Sequence, residues 1–223
     1  MATFTAWKTP TTTSSQLRTG GSQSWSNPNN AQASDNAYAT TASLNVTSTH
    51  WLWCTGFDFS SIPSGATITG AKVRYERKQS NSMDGGITET YLQLIKGGAR
   101  TGSEKHVTLL SGWAMADEVS ADAGGTGDLW SATFTRAEAV ASDTGVALAC
   151  EDTAANGTIP SIDVVEMAFE YTTSTPANYS FFLVFHTLWE SMCGILAVQC
   201  MYIRNLISEL ASRSAIGRSP ALP

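Results

Sequence analysis

Over its first 175 residues the chain places apolar side chains with a period of two, and this alternation constrains the fold more than any other feature. In residues 144–150, Val146, Leu148 and Cys150 share a face with small residues between them, and in 128–136 Trp130, Ala132 and Phe134 do the same. Successive side chains of a strand point to opposite sides, so such runs predict half-buried strands. Further strands are expected at 44–46, 51–59, 66–77, 87–96, 106–110 and 129–136. Near the end, Ile162 and Val164 alternate on one face before Val165, Met167, Phe169 and Tyr171 continue on the other, which asks for a β-bulge at Val164/Val165 or a strand buried on both faces. Turn signals punctuate these runs: Pro63-Ser64-Gly65, Asp84-Gly85-Gly86, Gly97-Gly98, Gly124 to Asp128, and Asn156-Gly157. About seven or eight short strands at this spacing, with no amphipathic helix between them, predict an all-β, antiparallel β-sandwich.

Three parts are expected along the chain: an extended N-terminal arm over 1–24, the sandwich over 25–172, and an apolar tail over 173–223. The arm is Thr/Ser-rich without a periodic apolar face, the kind of segment that a neighbour orders. The polar loop from Trp25 through Tyr38 is expected to pack across one end of the sandwich. In the tail the only charged residues after Pro176 are Glu190, Arg204, Glu209, Arg213 and Arg218, and residues 179–203 approach the length that spans a bilayer. As a helix, the segment would be apolar around nearly its whole circumference. It would need burial in a membrane, at an oligomer axis or against the sheets. A segment translated out of its natural frame would have the same look.

Charge narrows the function. Only 14% of the 223 residues are charged, against roughly 25% in ordinary domains, and the net charge is −6. No general attraction to nucleic acid or to an anionic membrane follows from that balance. The opening residues lack the basic and apolar regions of a secretory signal, so synthesis in a cytoplasm is expected. Cys54, Cys150, Cys193 and Cys200 form no CxxC pair and read as buried small apolar residues with free thiols.

No catalytic constellation is evident. His50, His106 and His186 sit in unrelated contexts, with no oriented partner for a general base. The adjacent carboxylates Asp117-Glu118 and Glu151-Asp152 read as solvated loop charges, not as a pair across a cleft. The segment 122–128 offers Asp122 and Asp128 as calcium candidates around a glycine turn, although a single copy of such a loop reads first as a tight turn. Lys72, Arg74, Arg77 and Lys78 form the one basic cluster, read as the polar face of a strand. Among the seven Trp, Trp51 and Trp53 share a strand face and are expected to fill the core. Trp25 and Trp113 are the candidates for stacking on a glycan, with fastening of a loop as their plainer role. No enzyme activity and no cofactor are expected.

One set of motifs carries a likeness. Trp25-Ser26-Asn27-Pro28-Asn29-Asn30-Ala31, then Asp35 and Ala37-Tyr38-Ala39, then the stretch from Phe57 to Gly70 with Ile62-Pro63-Ser64-Gly65-Ala66-Thr67-Ile68, together with residues 124–131 and Ile162-Asp163-Val164, resembles jelly-roll-like β-sandwich proteins of tailed-bacteriophage and prophage structural modules. The likeness covers about residues 24–172, and the tail departs from it. It implies a jelly-roll-like sandwich in a virion, binding other capsid or tail subunits as a decoration, cement or tail component, and assembling as a homo-oligomer, a trimer by analogy. Two alternatives stand beside it: a tail-associated adhesin that binds host glycan, and a sandwich anchored in a membrane by 179–203.

Overall fold

Strand pairing is tightest where the alternation is longest. The computed structural model describes residues 1–81, 86–109, 112–154, 157–174, 201–206 and 208–209, and the chain divides into two units, Met1–Ser174 and Thr175–Pro223. The first unit is all-β. Among its described residues the strands run β1 (Ala2–Phe4), β2 (Thr12–Gln16), β3 (Gly21–Gln23), β4 (Ala39–Thr40), β5 (Thr47–Thr49), β6 (Trp51–Thr55) and β7 (Thr67–Gln79). They continue as β8 (Ile87–Lys96), β9 (Ala99–Thr108), β10 (Glu118–Val119), β11 (Ala123–Gly125), β12 (Gly145–Asp152) and β13 (Pro160–Thr172), with a 3₁₀ turn at Pro28–Ala31 before β4 and an α-helical turn, α1 (Arg136–Ala139), before β12.

Two sheets result. In the first, β13 and β7 are central, with β1 and β4 on the far side of β13 and β10 and β11 on the far side of β7. In the second, β12 lies between β6 and β8, β2 pairs with β6, β9 pairs with β8, and β5 and β3 extend the sheet past the end of β6. All pairings are antiparallel except that of β3 with β5. Gly97 and Gly98 make the two-residue hairpin turn between β8 and β9, both at positive φ (60° and 70°). The twist of paired strands favours such turns, and side chains with a Cβ resist them.

The inward faces meet in one core. Val73, Tyr75, Val165, Met167 and Phe169 of the first sheet pack in the same cluster as Leu52, Cys54, Leu92, Leu94, Val146, Leu148 and Cys150 of the second. The loop aromatics Phe59 and Phe134 join it, with ring centroids 4.9 Å and 5.2 Å from that of Phe169. Cys54 and Cys150 are free and buried, and burial pushes both thiols well above the ordinary range. Cys193 and Cys200 lie outside the described residues.

The expected irregularity in the last strand is present slightly earlier. The register of β13 shifts between Ile162 and Val164. Asp163, 1% exposed, sits at the bulge and accepts hydrogen bonds from the backbone N–H groups of Asp35 (3.3 Å) and Asn36 (3.2 Å). The bulge therefore fastens the polar loop that precedes β4.

Five expectations are corrected. Residues 1–24 are extended but paired within the chain: β1 lines β13, β2 lines β6, and β3 lines β5. Their signal was hidden because edge strands carrying Thr and Ser need backbone pairing more than apolar burial. Residues 129–136 are not a strand, since Trp130 and Ser131 both take positive φ and α1 begins at Arg136. Trp130 and Phe134 are buried because their loop is pressed onto the core. Likewise 44–46 form no strand beyond a single bridge from Leu44 to Thr158, and β6 stops at Thr55. Finally, Glu151 and Asp152 lie on β12 rather than on a loop. Asp152 is fully buried, accepting from the N–H groups of Ala154 (2.8 Å) and Thr158 (3.4 Å), and burial raises its carboxyl above the usual range.

Of the second unit, residues 201–206, 208 and 209 are described and helical, and Met201, Tyr202, Ile203 and Leu206 are exposed. The remainder of the apolar tail, including most of 179–203 and His186, lies outside the described residues. No helix among the described residues is long and apolar enough to cross a membrane.

Candidate functional site

The sequence-nominated tryptophans are both structural. Trp25 is 4% exposed and donates its indole N–H to the His50 carbonyl (2.8 Å). Trp113, 2% exposed, packs in the core beside Tyr75, with ring centroids 6.1 Å apart. Neither offers a ring face to solvent, so neither can serve as a stacking platform. Asp122 is paired with Lys72 (3.3 Å), and Asp128 with Lys105 (2.7 Å). The Lys105 hydrogen bond holds Asp128 below the usual carboxylate range, and its other oxygen accepts from the Trp130 N–H (2.8 Å). Both carboxylates thus have lysine partners, and among the described residues no three His, Cys, Asp or Glu side chains gather as a metal site. The two described histidines are apart: His50 Nδ1 stands 3.5 Å from Ser15 Oγ, whereas His106 stacks on Tyr91.

The basic cluster on β7 resolves into closed units. Lys72 pairs with Asp122 and lies over Phe4 and Trp7; Arg74 pairs with Glu166 (2.6 Å) and lies over Trp7. Arg77 pairs with Glu118 over Tyr75 and Trp113, and Lys78 pairs with Asp117 over Tyr38. Each cation is neutralised by an acid and covered by a ring, which leaves no free positive stripe on this strand. Lys96 with Glu138 over Phe134, and Lys105 with Asp128 over Trp130, repeat the arrangement on the second sheet's edge.

The outward face of the second sheet breaks that pattern. Gly145, Ala147 and Ala149 of β12 point outward, opposite to Val146, Leu148 and Cys150, and the adjoining strands set Trp51 and Trp53 of β6 and Tyr91 and Ile95 of β8 against them. These small residues leave space for rings to lie down over the middle strand. Gly145 must be small for a second reason, since an added Cβ would collide with the Cys54 carbonyl. Trp51 and Trp53 therefore form a second cluster outside the core, correcting the expectation that they fill it: β6 turns its even-numbered Leu52 and Cys54 inward.

Two arginines cap this cluster. The Arg18 guanidinium lies 4.0 Å from the Tyr91 ring centroid and 5.4 Å from that of Trp51, and the Arg100 guanidinium lies 4.7 Å from Trp51. Arg18 donates to Ser48 Oγ (3.1 Å) and Arg100 to Gln93 Oε1 (2.9 Å). His106 of β9 stacks on Tyr91 at 4.7 Å with an interplanar angle of 4°. The Tyr91 hydroxyl donates to Glu151 (3.0 Å), and burial followed by that carboxylate raises its pKa, so it stays a neutral donor near pH 7. The Trp51 indole N–H, buried with the rest of a side chain that is 2% exposed, has no acceptor.

Chemically, the face offers half-buried aromatic surface at Trp53, amide and carboxylate groups at Gln93 and Glu151, and two fixed positive charges. It is a binding surface in its composition. Sequence reading missed it because Arg18, Trp51, Tyr91 and Arg100 come from four separate strands or their ends. The alternation Trp51-Leu52-Trp53, with two large rings opposite an inward Leu, was the one signal that could have pointed there. No protein-family model matches this chain, and no curated protein matches it.

Proposed function

We propose that the chain is a non-enzymatic structural protein of a tailed-phage particle, a jelly-roll-like sandwich that decorates or cements the capsid or forms part of the tail. The observation that carries this reading is the place of the motif residues behind the family resemblance. Trp25 ties its loop to His50, the Asn30 amide donates to the Tyr38 carbonyl (3.1 Å), and Asp163 receives the backbone at Asp35 and Asn36. Pro63-Ser64-Gly65 turn the chain into β7, with Ala66 N–H bonded to the Pro63 carbonyl and Gly65 at φ 77°. These residues hold long loops against a rigid sandwich, the requirement of a subunit packed many times over at high local concentration. A surface rich in Thr, Ser and Asn suits such packing with little charge repulsion. Assembly as a closed homo-oligomer, three-fold by the family analogy, belongs to the same reading.

The test is the particle itself. Purified virions should contain the protein in stoichiometric amounts by mass spectrometry, and particles from a gene deletion should lose density at fixed positions. Wild-type virions lacking the protein would overturn the reading.

A second reading has its own observation. The outward face of the second sheet combines the half-buried ring of Trp53 with hydrogen-bonding groups, which suits a saccharide bound on the particle's exterior. A glycan array with the full chain should give a signal that weakens on Trp53→Ala.

A further inference from the structure

We infer that the outward face of the second sheet is a binding site for an acidic saccharide, with its carboxylate and neighbouring hydroxyls taken by Arg18 and Arg100 and the sugar ring lying against Trp53. The inference rests on the saccharide reading above and adds the charge of the ligand.

Its basis is an accounting of cations. Among the described residues, Arg18, Lys72, Arg74, Arg77, Lys78, Lys96, Arg100 and Lys105 lie over aromatic rings. The chain supplies an acid to Lys72, Arg74, Arg77, Lys78, Lys96 and Lys105. Among the described residues Arg18 and Arg100 make no such ion pair, and both lie over the same ring, Trp51. A chain with net charge −6 has acids to spare, so two neighbouring guanidiniums without one form a local exception. Glu151 lies on this face, but the Tyr91 hydroxyl engages it and it pairs with neither arginine.

Geometry adds a second indication. The guanidiniums lie 5.4 Å and 4.7 Å from the Trp51 centroid, so they are at most about 10 Å apart, a span that a sugar acid covers with its carboxylate at one arginine and its hydroxyls at the other. Guanidinium forks match carboxylates with paired hydrogen bonds. Arg100 is exposed and held by Gln93, so its guanidinium is open to an incoming anionic group. The half-buried ring of Trp53 on the same face favours a sugar over a peptide carboxylate or free phosphate, since flat aromatic surface complements the C–H face of a pyranose.

Titration calorimetry on the full chain decides it, using a galacturonic-acid oligomer, its methyl-esterified uncharged form, a sialylated oligosaccharide with its asialo counterpart, a Glu-rich peptide and inorganic phosphate. At least one acidic saccharide should bind about tenfold or more tighter than its uncharged partner, and binding should weaken with salt. Arg100→Gln should lose about tenfold or more in affinity with an unchanged melting temperature, and Gln93→Glu, which supplies the missing acid, should abolish binding. If Arg18→Gln lowers the melting temperature, the Arg100 and Gln93 variants decide alone. The Trp51 indole resonance should move on saturation, and a bound saccharide that leaves it unmoved overturns the site. Equal affinity for charged and uncharged forms overturns the acidic ligand while the saccharide reading survives. Binding of no saccharide overturns both, and binding of peptide or phosphate alone overturns the inference.

Discussion

The outward faces of the two sheets use the same elements to opposite ends. On the first sheet, Lys72, Arg74 and Lys78 project from β7, each beside a carboxylate and under a ring, and the N-terminal segment supplies two of the rings, Phe4 and Trp7. That face is electrically finished. On the second sheet, Arg18 and Arg100 cover Trp51 and Tyr91, with no acid among the described residues to match them. The same cation-on-ring contact therefore closes one surface and leaves the other open to an anion. A ring holds a guanidinium in place without neutralising it, so the missing carboxylate decides whether a surface is structural or receptive.

Substitutions can break the contrast or sharpen it. The largest effect is expected at the rings. Trp51→Ala should cost about 3–5 kcal/mol, since the side chain is almost fully buried, while Trp7→Ala on the half-buried first face should cost about 1–2 kcal/mol. Urea unfolding measures both, and equal losses would show that the two faces are built alike. Next comes the floor of the second face. Ala149→Leu should destabilise by about 1–3 kcal/mol, because the rings rest on a small residue there, and a neutral result in the same assay would mean that the cluster is loosely packed.

Charge substitutions should move stability less. Glu166→Gln leaves Arg74 without its acid and should cost up to about 1 kcal/mol, whereas Gln93→Glu should gain a few tenths, about 0.5 kcal/mol at most. Opposite signs in thermal melts would sharpen the comparison, and matching signs would break it.

The smallest effect is a difference in pH dependence. Asp128 is held below the usual 3.8 by Lys105, so its contribution is present above that value and lost as pH falls through the lowered pKa. Asp152 is raised by burial, so its contribution is full below 3.8 and lost as pH rises through the raised pKa. Asp128→Asn should therefore reduce the acid sensitivity of the urea midpoint, and Asp152→Asn should increase it. Unchanged profiles would remove both carboxylates from the account.

Much of this architecture was legible in the chain. The run 87–96 is β8 as read, and β7, β12 and β13 depart from expectation only at their ends, because a core that buries one side of each strand demands alternation. The turn at Gly97-Gly98 was legible for a steric reason, as two adjacent glycines suit a hairpin that other residues resist. The strands of the first 24 residues were not, because hydrogen bonding to β13, β6 and β5 orders them and leaves no apolar pattern. Trp130 and Phe134 misled because a buried loop can alternate without being extended.

The candidate site was legible only as a pair of tryptophans. Alternation announced that Trp51 and Trp53 share a face, but which face is core depends on the register of β6 against β12, where Leu52 meets Leu148. Arg18 and Arg100 are 82 positions apart in the numbering, and nothing local indicates that both reach one ring. By itself the sequence determined the strands, the tight turns and the scarcity of charge, since these follow from side-chain period, backbone sterics and composition. Only the tertiary structure decided which cations found an acid and which did not, because ion pairing depends on distances of a few ångströms between strands remote in sequence.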